Sequence, residues 1–106
     1  MNDISKSDWK LFQERVPEWQ EHYMERLIKE YVELLASPGK ASERFWKLEK
    51  RIKQDKKYQG VQMQLSKSTA IWDCVDLLRS GAITMEDLNG FSEDFIDTVK
   101  FILGRR

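Results

Sequence analysis

His22 is the only histidine of the chain, with Glu18 four residues before it and Glu25 three after. On a helix these spacings bring the three side chains to one face. Such a carboxylate-imidazole-carboxylate row suits metal binding or proton transfer. A zinc hydrolase needs several nitrogen ligands, however, and a di-iron bundle needs Glu-x-x-His units from two helices. One histidine builds neither, so the row reads as a solvated polar face beside Tyr23 and Leu27. Cys74 is also alone in its type, which rules out an internal disulfide and a cysteine-based zinc site. Its place in an apolar stripe makes it a core thiol rather than a nucleophile. None of the five glycines lies within eight residues of another, so there is no Gly-rich phosphate loop. The acidic residues Glu86, Asp87, Glu93, Asp94 and Asp97 lack the Asp-x-Asp-x-Asp spacing of a calcium loop. The expectation is a non-enzymatic protein with no catalytic residue, no metal site and no cofactor.

Charge is the more informative chemistry. The 18 Lys+Arg and 18 Asp+Glu cancel. Their distribution does not: residues 1–39 carry a net −3, residues 40–57 a net +5 and residues 58–106 a net −2. On a helical wheel the basic residues Arg44, Lys47, Lys50 and Arg51 are placed away from an inward row of Phe45, Leu48 and Ile52, and Lys53, Lys56 and Lys57 extend the basic face. A face of this kind can neutralise phosphates or meet an acidic protein surface. Only Gln54 and Gln59 are available there as polar base readers, and the rest of the chain is negative, so nucleic acid is the weaker reading. Trp46 projects beside the inward row, next to Lys50 and Lys53, in the manner of an interface anchor. Trp9 and Trp19 raise the same question, because 12 aromatics are generous for a bundle of 106 residues. The residues expected to bind a partner are Arg44, Trp46, Lys47, Lys50, Arg51, Lys53 and Lys57.

The elements that must position them read as helix, stop, helix. A short helix begins after a Ser7 cap with Trp9, Phe12 and Val16 on one face, and Pro17 either starts a second helix or kinks a continuous one. From Glu18 to Ala36, Trp19, Tyr23, Met24, Leu27, Ile28, Tyr31, Leu34 and Leu35 recur at helical steps. Ser37-Pro38-Gly39 ends that stretch. Ser42 is the expected cap of the basic helix, which fades towards Tyr58-Gln59-Gly60. The next helix is expected over 61–80, with Val61, Leu65, Trp72 and Val75 on one row, Gly81 closing it, and a short strand at 62–66 as the alternative for its start. Thr84 caps a turn of helix ending at Asn89-Gly90, and Ser92 opens a last helix with Phe95, Ile96, Val99, Ile102 and Leu103. The sum is one all-α domain over 1–106, a bundle of four main helices plus one or two short ones.

No apolar run exceeds three residues, far short of the roughly 20 needed to span a bilayer. The first residues lack a basic stretch followed by an apolar one, which leaves the cytoplasm as the expected compartment.

The stretch Trp9 to Ala36, the block Phe45-Trp46-Lys47-Leu48-Glu49-Lys50-Arg51-Ile52-Lys53, and Gly81-Ala82-Ile83-Thr84 with Asp87-Leu88 and Phe91-Ser92 resemble a set of short bacterial accessory proteins of the sort found on phages and mobile elements. These are sometimes labelled multidrug transporters, a label this composition contradicts. The resemblance covers most of the chain and carries over no activity or site; it implies an interaction or inhibitor role. Three expectations follow. The first is a protein-binding accessory module, homodimeric through its basic stretch meeting an acidic helix of its twin. The second is a nucleic-acid-binding regulator using residues 43–57. The third, from the resemblance alone, is an inhibitor of a nucleic-acid-handling enzyme.

Overall fold

The computed structural model describes residues 4–104. It is all-α, 73% helical, with four helices and, among the described residues, no strand. Helix α1 spans Lys6–Ala36, α2 Ala41–Asp55, α3 Ala70–Arg79 and α4 Glu93–Leu103, with short 3-10 turns at Lys67–Thr69 and Met85–Leu88.

α1 is one helix of 31 residues, about 46 Å long at 1.5 Å per residue. It runs through Pro17. Its cap is Ser5 rather than Ser7: the Asp8 amide donates to Ser5 Oγ at 3.1 Å. At the other end Pro38 and Gly39, at φ 129°, turn the chain back into α2. The N-cap of α2 is Lys40 rather than Ser42, and the Lys40 amide donates to Glu43 Oε1 at 3.2 Å.

The core gathers Phe12, Val16 and Trp19 from α1 with Ala70, Ile71, Cys74, Val75 and Leu77 from α3, Ile83 and Leu88 around the second short turn, and Phe95, Val99 and Ile102 from α4. Phe91 joins through its ring, 6.3 Å from Trp19 and 4.5 Å from Phe95 between centroids. The start of α1 is fastened to the start of α4, where the Ser92 amide and hydroxyl donate to the two Asp8 carboxylate oxygens at 2.9 and 2.6 Å. The caps expected at Thr84 and Ser92 are present, as is the left-handed Gly81 at φ 80°.

The expected helix over 61–80 starts only at Ala70. Residues 62–66 form neither helix nor strand. Helix α3 turns Ala70, Ile71, Cys74, Val75 and Leu77 inwards, so Trp72 falls on the outer side, 47% exposed. This moves Trp72 off the core row in which its spacing from Val61 and Leu65 had placed it.

The second half of α1 and all of α2 form a hairpin that extends from this core. The molecule measures 52 × 29 × 22 Å. Its radius of gyration is 16.4 Å, against about 13 Å for a compact chain of this length. No helix among the described residues is long and apolar enough to cross a membrane.

Candidate protein-docking surface

Polar contacts along the inward row hold α2 against α1, with Leu48 half-buried among them. The inward row of α2 is Arg44, Leu48, Arg51 and Asp55, at steps of four, three and four. Arg44 Nη1 donates to the Leu35 carbonyl at 2.7 Å, satisfying an acceptor in the last turn of α1. Arg51 donates to Glu30 Oε1 at 2.6 Å and to Asp55 Oδ2 at 3.3 Å, and its guanidinium lies 5.4 Å from the Tyr31 ring centre. The Tyr31 hydroxyl donates to Asp55 Oδ2 at 2.5 Å. Burial, and then the bond to Asp55, push the Tyr31 phenol up to about 12.

This inward row corrects the wheel drawn from the sequence. Arg44 and Arg51 leave the basic face and stitch the hairpin together. Lys47, Lys50, Lys53 and Lys57 point outwards and are exposed, and Lys53 pairs with Glu49 at 3.0 Å. Phe45 and Ile52, expected to face the core, lie exposed on the flank of α2, while Leu48 is half-buried.

Trp46 is 62% exposed and Phe45 61%, their rings in edge contact at 4.8 Å between centroids. Trp19 is buried and Trp9 packs against the core, so the question of unabsorbed tryptophans narrows to Trp46 and Trp72. On the same side of the hairpin α1 exposes Ile28, Val32 and Leu35, at steps of four and three. Sequence reasoning had placed Ile28 and Leu35 in the buried stripe and had not singled out Val32. A signal for Val32 existed: it continues the row from Ile28 towards Leu35. Between the helices an apolar groove of 180 Å³ is lined by Met24, Leu27, Ile28, Tyr31, Ile52 and Val61, with Asp55 and Lys56 at its side. The exposed parts of Ile28, Val32, Leu35, Phe45, Trp46 and Ile52 amount to roughly 600 Å² in all, with Trp46 at the outer edge, where its ring meets Phe45.

The other candidate chemistry stays dispersed. Cys74 is a buried free thiol, and burial pushes it up to about 12, where it is a poor nucleophile. His22 is exposed, and among the described residues no three His, Cys, Asp or Glu side chains gather as a metal site. Comparison with protein families, with curated proteins and with solved structures finds no match to this chain.

Proposed function

We propose that this chain is a non-catalytic, cytoplasmic protein-binding module whose docking element is the α1–α2 hairpin. The observation that carries the reading is the apolar face of Ile28, Val32, Leu35, Phe45, Trp46 and Ile52, exposed on an arm that extends from a separate core. Burying it against a partner removes apolar surface from water at about 25 cal/mol per Å², and Trp46 and Phe45 have the size and rigidity of interface anchors. The outward lysines form a charged rim around it that steers an acidic partner.

Support for nucleic acid is weaker than the basic stretch first suggests. With Arg44 and Arg51 drawn into the hairpin, the outward face holds lysines but none of the arginine forks that read guanine edges.

The test is partner recovery from the native host with three forms of the full chain. A Phe45→Ser/Trp46→Ser variant should lose the proteins that the unaltered chain retains, while the Trp72→Ser control, altered on the exposed side of α3, keeps them. Equal recovery by all three overturns the reading. Titration with duplex and single-stranded DNA at two salt concentrations addresses the same surface, and binding that weakens steeply with salt would assign it to phosphate contacts instead.

A further inference from the structure

We propose that the apolar face of the hairpin is covered by the same face of a second copy of this chain, so that two hairpins form a four-helix bundle. The proposal rests on the hairpin being the docking element and names its occupant.

The first support is spacing. On α1 the exposed positions Glu21, Glu25, Ile28, Val32 and Leu35 follow one another at steps of four, three, four and three. On α2 Phe45, the half-buried Glu49, Ile52 and the C-cap residue Lys56 do so at four, three and four. This is the heptad rhythm by which helices interlock at about 20°, and it repeats on both arms of one face. The two rows are distinct from those that join the arms to each other. On α1, Phe12, Val16, Trp19, Tyr23 and Leu27 project about 160° away from the exposed row. A second hairpin can therefore lie on this face without meeting the core.

The second support is charge complementarity. The α1 row is apolar towards the turn and acidic towards the base at Glu21 and Glu25. On the α2 side the base is basic at Lys56, and the one charge between Phe45 and Ile52, Glu49, is paired with Lys53 of its own helix at 3.0 Å. The contacts Leu35 with Arg44, Glu30 with Arg51 and Tyr31 with Asp55 fix the heights of the two arms, putting Glu25 level with the region of Lys56. A two-fold axis along the helices sets α1 of one copy against α2 of the other, running antiparallel. Ile28, Val32 and Leu35 then meet Phe45 and Ile52 of the second copy, and the acidic end at Glu21 and Glu25 meets the basic end at Lys56, with Lys53 about a turn nearer the apolar half. An axis across the helices sets α1 against α1 in reverse, placing the glutamates on the other copy's apolar end. That arrangement buries charge without a partner.

The third support is area. Without Trp46, which projects from the outer side of α2, the exposed parts of Ile28, Val32, Leu35, Phe45 and Ile52 come to roughly 450 Å² a copy. Two faces bring roughly 900 Å² to a contact that the flanking charged residues enlarge towards about 1,200 Å², where specific interfaces begin. The net charge of zero adds no long-range repulsion between copies.

Sedimentation of the full chain over a concentration series tests this, with circular dichroism to confirm that each variant is folded. The unaltered chain should dimerise. Glu21→Lys/Glu25→Lys and Lys53→Glu/Lys56→Glu should each raise the dimer dissociation constant at least about tenfold. An equimolar mixture of the two folded variants should restore dimers, because both contacts of the mixed pair are complementary again. A monomeric unaltered chain, charge variants that dimerise as well as it does, or a mixture that stays monomeric overturns the proposal. A monomeric chain that still loses its host partner through Phe45→Ser/Trp46→Ser would overturn the self-pairing alone and leave the docking role standing.

Discussion

Tyr31 closes the hairpin with one short bond. Its hydroxyl is the donor to Asp55, a carboxylate only 8% exposed, whose other contact is the longer one from Arg51. Removing the hydroxyl in Tyr31→Phe leaves a buried acceptor half satisfied, so the variant should lose about 1–3 kcal/mol in chemical denaturation. Stability equal to that of the unaltered chain would show that Arg51 alone suffices. The same bond predicts an alkaline limit. The phenol in the folded chain is raised to about 12, against 10.0 for the free side chain. The unfolded chain therefore gives up its proton first, and the stabilisation is complete below pH 10 and lost as pH rises towards 12. Melting temperature should fall across that window more steeply in the unaltered chain than in Tyr31→Phe. Arg44 and Arg51 carry a lesson at this scale. Their type and spacing suggested outward binding residues, yet each found a partner on α1 that no local pattern announces.

At the scale of elements, the turn after α2 ties the arm to the core. Gln20 Nε2 donates to the Gln59 carbonyl at 2.8 Å, and Gln59 Nε2 donates to Asp76 Oδ2 at 3.0 Å, so one residue links α1 to α3. Gly60 follows it beneath the Tyr23 ring, where a Cβ would come within 2.4 Å of Cδ2. Gly60→Ala must therefore displace Tyr23 or the turn, and a loss of about 1–3 kcal/mol is expected in thermal or chemical unfolding. An unchanged midpoint would mean that the turn shifts freely. Helix ends were legible wherever a small polar residue or a glycine supplied the local chemistry, as at Thr84, Ser92, Gly39 and Gly81. They were misread at Ser7, where Ser5 competes for the cap, and at Ser42, where Lys40 precedes the helix and donates its amide to Glu43.

The whole molecule divides into a core that carries the stability and an arm that carries the surface. Leu77 is fully buried among α3 and α4 neighbours, whereas Val32 is 60% exposed on the arm. Leu77→Ala should cost about 2–5 kcal/mol. Val32→Ala and Trp46→Ala, measured at high dilution, should stay within about 0.5 kcal/mol. Comparable losses at all three positions would mean that the arm is part of the core. The elongation, 52 Å against 22 Å, has the same origin: α1 is far longer than the helices that cover it, and only α2 accompanies its second half.

Helical class, the helix from Glu18 to Ala36, the turn at Pro38-Gly39 and the absence of a membrane-spanning helix follow from the sequence alone, because they depend on local propensity and on the period of apolar residues. That this helix continues back through Pro17 to Lys6 does not. The period also shows which side chains share a face. It does not say which of two neighbouring faces turns inward. On α2 the rows Arg44-Leu48-Arg51-Asp55 and Phe45-Ile52 lie side by side, and hydrophobicity favours the second. Tertiary structure chose the first, because Arg44 reaches the open carbonyl of Leu35, Arg51 reaches Glu30 and Asp55 reaches Tyr31, all from the other arm. The apolar row was left outside by that choice, and with it the surface on which the proposed function rests.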